Sequence, residues 1–267
     1  MHHAFFLSSR RAVALLLLAG LSSPALALQP LITDDTGTQG SGGNQLELSF
    51  SEERAKSDGN TDRTRSLPFV YTRGLTESLD VYVGFGYSWL RPDNPGSNVN
   101  GATNPSLGAK WRFYENEESG SSLALKPEII FPVSSGREVD GVGTGKTSGN
   151  LTLIYSQDVP FGAVHVNAGV GRERYRDDEI SPDATTSRFS IAPVWDVSEQ
   201  WKLALDVGTE SARAAGDTVR SNYVELGAIY SPGKDLDLAV GLIRAADNES
   251  PGTTTYTATA GLTWRFQ

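Results

Sequence analysis

The amino-acid sequence predicts an all-β protein, a 12-stranded antiparallel up-and-down transmembrane β-barrel, from three observations. Apolar and polar residues alternate with period two in twelve stretches, while helical i, i+3, i+4 spacing is nearly absent. Five short polar turns alternate with six longer loops, the asymmetry of an outer-membrane barrel. The face opposite the apolar one carries charge in mid-strand.

In chain order, Arg10 and Arg11 precede the apolar run Ala12 to Leu21, and the small-x-small triplet Ala25-Leu26-Ala27 follows. This is the pattern of a secretory signal peptide over residues 1–27, with cleavage expected between Ala27 and Leu28. Ten apolar residues are too few to span a bilayer. Residues 28–43 are expected to form a periplasmic N-terminal segment, whose Gly- and Thr-rich part from Thr36 reads as a linker, and residues 44–267 the barrel. Loss of the leader leaves 21 basic against 32 acidic residues, a formal charge of −11. That balance argues against nucleic acid as a partner, because phosphate binding needs clustered Lys and Arg. With no cysteine, disulfides, thiolate metal sites and thiol nucleophiles are excluded.

The clearest strand runs from Leu79 to Trp89, where Leu79, Val81, Val83, Phe85, Tyr87 and Trp89 share one face. On a helix these residues would circle the whole cylinder. The same rhythm marks strands over 106–113, 123–131, 164–171, 201–208, 236–242 and 255–266, and more weakly over 45–52, 65–73, 150–156, 188–196 and 222–231. Pro68, Pro127 and Pro193 fall inside strands, and since proline lacks a ladder donor, bulges or locally missing bonds are expected there. Longer loops are expected over Arg54–Arg63, Arg91–Asn104, Val133–Gly149, Arg172–Ser187, Ser211–Arg220 and Arg244–Thr253.

Alternation alone does not say whether the apolar face meets a core or lipid. The opposite face carries Asp80, Lys110, Arg112, Lys126, Glu128, Arg188, Lys202, Asp206, Glu210, Glu225, Asp237 and Arg265, six acids and six bases. These residues, with His165, are the expected lumen lining and candidate permeation residues. Aromatic residues cluster toward strand ends, with Trp111, Phe113, Tyr155, Trp195, Trp201, Tyr230, Trp264 and Phe266 at the short-turn end and Phe50, Tyr87, Trp89 and Phe131 at the other. Two such belts suit the two membrane interfaces. Twelve closed strands would also leave a soluble barrel too wide for side chains to fill. The apolar face is therefore expected to point outward.

Other motifs yield to simpler readings. Asp140 to Thr147 looks like a phosphate-binding loop, but Asp140 replaces its first glycine and a strand follows where a helix is needed. It reads as a flexible external loop. His165 has no Ser at i+2, so no catalytic constellation, metal site or cofactor site is visible. The charge-dense run Arg172 to Glu179 suits either contact with lipopolysaccharide or pairing within the loop. Thr33, Asp34 and Asp35 suit either a solvated tail or a tuck into the periplasmic mouth beside Arg112 or Arg265.

Two resemblances add to this reading. Thr259 to Phe266, with Gly261, Trp264 and Phe266 at its key positions, resembles the C-terminal signal read by the outer-membrane barrel assembly machinery, although Gln267 follows the last aromatic. The stretch from Pro30 to Gly40, centred on Thr33-Asp34-Asp35 and followed by Gln45-Leu46-Glu47, resembles the mature N-terminus of the family named for the MetA pathway of phenol degradation. That resemblance implies an outer-membrane transporter for small molecules, aromatic compounds among them. Outer-membrane lipid, lipopolysaccharide, the assembly machinery and a small-molecule permeant are the expected partners. Twelve strands tilted by about 40° give a backbone diameter of roughly 24 Å and an unobstructed bore of roughly 10 Å. The expected function is a passive channel with weak ion selectivity. A barrel plugged by Lys110, Arg112, Lys126, Glu128, Asp206 and Glu225 is the alternative, and a lipid-modifying enzyme using His165 a more distant one.

Overall fold

The structure, a computed structural model, describes residues 29–93, 98–176 and 181–267. The expected leader, residues 1–27, lies outside the described residues. Twelve long strands close into one antiparallel barrel: β1 Asn44–Ser57, β2 Asn60–Thr76, β3 Leu79–Arg91, β5 Ser106–Asn116, β6 Ser121–Ile130, β7 Ser148–Val159, β8 Gly162–Glu173, β9 Ala184–Asp196, β10 Trp201–Ala214, β11 Asp217–Gly233, β12 Leu236–Asp247 and β13 Thr254–Phe266. Each pairs with its neighbours in sequence, and β1 seals the ring against β13, from Asn44 opposite Phe266 to Lys56 opposite Thr254. A short β4, Val99–Ala102, pairs with the outer half of β3 and adds no stave to the ring. Closure leaves each of the twelve long strands paired with a neighbour on both sides, as hydrocarbon requires of backbone polar groups.

The burial pattern is that of a soluble protein turned inside out. Asp206 and Glu225 are 0% exposed, whereas Leu226 and Leu242, paired on neighbouring strands, are 61% and 66% exposed. Phe85, Trp111, Leu203 and Val240 also face outward. At the short-turn end rings touch along the rim, with Trp201 4.8 Å from Tyr230, Trp264 4.7 Å from Phe266 and Phe161 5.7 Å from Trp195. These amphipathic rings match the interfacial belts of membrane barrels.

Each proline leaves a gap in one ladder without shifting its register. Pairing of β1 with β2 passes from Leu48–Phe69 to Ser51–Ser66 across Pro68. Pairing of β5 with β6 passes from Gly108–Glu128 to Trp111–Leu125 across Pro127. Pairing of β9 with β10 skips likewise across Pro193, from Ala204–Val194 to Val207–Ile191. The missing N–H costs local bonds, and the bulges lie elsewhere, at Gly74–Thr76, Arg112–Tyr114 and Tyr230–Gly233.

The loops depart from expectation. Arg54–Arg63 and Ser211–Arg220 are not long loops, because the flanking strands extend until tight turns close them. Asp58 and Gly59 have φ of 49° and 80°, and Ala215 and Gly216 have φ of 51° and 92°. Positive φ at both central residues matches the twist of a two-residue hairpin. The Val133–Gly149 loop is not featureless either, since it carries a short helix, α1, Ser135–Val139. In the charge-dense run, Arg172 and Arg174 reach Asp183 at 3.5 and 3.7 Å, and Arg176 reaches Glu138 at 3.2 Å. Asp177, Asp178 and Glu179 lie outside the described residues.

Candidate functional site

The expected open bore is occupied. Residues 29–43 do not hang in the periplasm as a linker but run around the inside of the wall, meeting strands in descending order. Gln29 lies against Gly261 on β13, and Pro30 against Gly241 on β12 and Gly227 on β11. Those last two glycines face each other in the ladder, and a Cβ on either would stand 3.0 Å or less from a Pro30 carbon. Their missing side chains make the room that Pro30 fills. Leu31 packs with Ala192, Val194 and Ala204.

From there the contacts are polar. The Ile32 N–H donates to Glu225 on β11 at 3.2 Å. Thr33 donates from its backbone and hydroxyl to the two Asp206 oxygens on β10, at 2.6 and 2.8 Å, and its hydroxyl lies 2.7 Å from Ser190 on β9. Asn167 on β8 grips the Asp34 backbone twice: its side-chain oxygen accepts the N–H at 2.7 Å and its nitrogen donates to the carbonyl at 2.9 Å. The Thr36 N–H donates to Ser156 on β7 at 3.1 Å, and its hydroxyl lies 2.6 Å from Ser122 on β6. The Gln39 N–H donates to both Asp80 oxygens on β3, and Gly42 donates to the Gly74 carbonyl on β2. These bonds explain why a Gly- and Thr-rich stretch is ordered here. Lumen carboxylates and hydroxyls accept its backbone donors, which would otherwise be buried unsatisfied.

The electrostatic centre is Asp34. Its two carboxylate oxygens take one lysine each, Lys110 on β5 at 2.9 Å and Lys126 on β6 at 2.7 Å. Lys110 also donates to the Asp35 carbonyl at 3.1 Å. Burial pushes the Asp35 carboxyl up, but the Lys110 ammonium, His165 and the Gly37 N–H outweigh burial and hold it below its ordinary value of 3.8. Tyr82, whose ring closes over Gly108, lies 5.3 Å from the Lys126 ammonium and donates to Glu128 at 3.2 Å.

Asp34, Tyr82 and Lys126 line two cavities. One, about 660 Å³, opens among Asp35, Glu47, Asp80, Asp237 and Arg265 on the short-turn side. The other, about 80 Å³, lies among Glu128, Asn150, Glu173, Arg188 and Glu210 toward the loops. The Asp34 cluster is the partition between them.

The remaining expected lining residues divide between lumen and rim. Arg188 and Glu210, opposite each other on β9 and β10, pair at 2.7 Å inside the barrel. Asp237 pairs with Arg265 at 2.7 Å beside the larger cavity. Lys202 pairs with Asp196 at 3.1 Å, both about half exposed, so it belongs to the rim and not to the lumen. Arg112 turns to Glu115 and the Glu77 carbonyl, and Arg265 to Asp237 and Gln45. Of the two readings of the Thr33–Asp35 motif, the structure shows a tuck into the barrel and not a solvated tail, with Lys110 and Lys126 as partners in place of Arg112 or Arg265. The two arginines already have partners near the rim, and the segment passes deeper than the mouth. Lumen groups in the proposed side-chain plug also meet through this segment: Lys110 and Lys126 through Asp34, Asp206 through Thr33, Glu225 through Ile32.

His165 has a partner that sequence reasoning missed. Ser156, opposite it across β7 and β8, lies 2.8 Å from Nδ1. Because Ser156 also accepts the Thr36 N–H, the pair is part of the seat of the N-terminal segment. Gly261, Trp264 and Phe266 occupy the last strand, the glycine facing the lumen against Gln29, Trp264 facing outward and the Phe266 ring 4.7 Å from it.

A closed ring of twelve antiparallel staves, apolar outside and charged inside, defines an outer-membrane β-barrel. Residues 33–266 match the family described as "Putative MetA-pathway of phenol degradation", and the chain belongs to that family. The match begins at Thr33, the residue that grips Asp206. Among solved structures, an outer membrane channel from Pseudomonas putida F1 is similar over 88% of this chain and 100% of its own, with 14% identity and a TM-score of 0.69. The beta domain of the Bordetella autotransporter BrkA covers 85% of this chain and 100% of its own, with 14% identity and a TM-score of 0.58. The NanC porin covers 81% and 98%, with 9% identity and a TM-score of 0.52. At such identities the likeness is one of fold. None of the curated proteins matches the chain.

Proposed function

We propose that this protein is an outer-membrane channel for small solutes, closed in the present conformation by its own residues 29–43. One observation carries the reading. The lumen holds a second segment of chain around its wall and still leaves a cavity of about 660 Å³ on the short-turn side. A barrel of that width becomes a passage once the segment shifts, and transport would be passive, driven by the solute gradient. The short-turn rim, with its aromatic belt, then faces the periplasm. Family membership and the fold shared with an outer membrane channel support the same reading. Small aromatic compounds are the permeants that the family description suggests.

The test is single-channel recording in planar bilayers. The intact chain is expected to show rare openings, and a Thr33→Ala, Asp34→Ala double variant a raised open probability. A folded double variant that never conducts would sink the proposal. It would favour the second reading, a permanently plugged structural barrel, for which the number of contacts along residues 29–43 speaks.

A further inference from the structure

Lys110 and Lys126 stand directly opposite each other on β5 and β6, within the two-pair gap that Pro127 leaves in that ladder. Both face the lumen and are largely buried. Like charges directly opposite on one face of a sheet repel, so an anion between them stabilises the pair. The occupant is a carboxylate, with Oδ1 on Lys110 and Oδ2 on Lys126. One oxygen per ammonium is the two-point geometry that a planar carboxylate offers and a spherical halide does not. Glu47, Tyr82 and Asp80 complete the wall of the adjoining cavity, whose volume of about 660 Å³ exceeds what a small organic acid needs.

From this geometry we infer that Lys110 and Lys126 form a binding station for small organic carboxylates, and that Asp34 is its tethered internal occupant. The inference rests on the channel reading for its physiological meaning: an incoming carboxylate takes the place of Asp34 and loosens the segment that closes the lumen. The binding itself does not require conduction. Asp34 is attached to the wall on both sides, through Thr33 and Thr36, so a free acid competes with a partner at high effective concentration. Intact protein therefore binds free carboxylate weakly, and removing the Asp34 side chain vacates the bridging place between the two lysines, with Asp35 Oδ1 still 3.7 Å from Lys110.

Isothermal titration of the full chain in detergent with benzoate and with acetate tests this, the barrel fold being checked by heat-modifiable gel mobility. Asp34→Ala is expected to bind both at least about tenfold more tightly than the unsubstituted chain. Adding Lys110→Gln or Lys126→Gln in that background is expected to lose at least about tenfold. Asp34→Ser serves as a second variant should the alanine form not fold. Equal affinity in the unsubstituted and Asp34 variants would overturn the proposal, as would affinity unaffected by loss of either lysine. Displacement of benzoate by chloride as readily as by acetate would overturn it too, showing a generic anion site. A channel that fails to conduct while these titrations behave as expected removes the transport reading and leaves the station standing.

Discussion

Thr33 holds Asp206 at two points, through its backbone N–H at 2.6 Å and its hydroxyl at 2.8 Å. This clamp fixes the N-terminal segment to β10, with Tyr223 donating to the same carboxylate at 2.9 Å. Thr33→Val keeps the shape and removes the hydroxyl donor. Because the site is buried, the loss is expected to weaken the seat of the segment by about 1–3 kcal/mol. Hydrogen exchange of the amides of residues 29–43 should accelerate while that of the strands stays unchanged.

The segment's attachment should depend on pH through Asp35. Its carboxyl titrates below 3.8 in the folded protein, so the ionised form favours the seated state. This contribution is complete above the ordinary carboxylate range and lost as pH falls through the lowered value. Through Asp35, open probability in bilayers is expected to rise as pH falls below about 4. Asp35→Asn should open more readily at neutral pH and lack the Asp35 part of the acid response.

Arg188 and Glu210 make two charge-assisted bonds, at 3.0 and 2.7 Å, across adjacent strands inside the barrel. Glu210→Ala leaves the arginine without that partner in a largely buried site. Urea unfolding from lipid vesicles is expected to show a loss of about 2–3 kcal/mol. A double substitution, Arg188→Met with Glu210→Leu, should recover part of that loss.

Orientation in the membrane is tested from the outside. Leu226 and Leu242 face outward in the middle of β11 and β12. Arginine at either position should cost about 2–4 kcal/mol in vesicle-based unfolding, and at Trp264 on the rim about 1 kcal/mol or less from charge alone. Equal costs at the two depths would place the membrane elsewhere on the barrel.

The strands were legible because lipid outside and water inside impose a two-residue rhythm on each stave, and Leu79 to Trp89 carries it without a break. Their ends were less so. Asp58-Gly59 is a recognisable hairpin pair, and reading it would have shortened the Arg54–Arg63 loop. Ala215-Gly216 gives a weaker signal, because alanine seldom takes the positive φ that it adopts there. The lumen occupant was half visible. Thr33, Asp34 and Asp35 stood out as a motif, but their partners depend on register and depth. That Lys110 and Lys126 lie opposite each other follows from β5–β6 pairing and not from their separation along the chain. Ser190, Asn167 and Ser156 carry no signal of their own in the sequence, being ordinary polar residues on inward-facing positions. Alternation places Tyr82 on the polar face with Asp80, but its seat over Gly108 and beside Lys126 depends on how β3, β5 and β6 pair.

The inner hoop has a consequence for biogenesis. Its first described residue, Gln29, rests on Gly261 of the final stave, and its last leads directly into the stave that seals the ring against that same strand. The earliest part of the hoop thus waits for the latest part of the chain, and its set of contacts is complete only when the seam is. The seat of the hoop and the seam of the wall therefore depend on the same strand, β13.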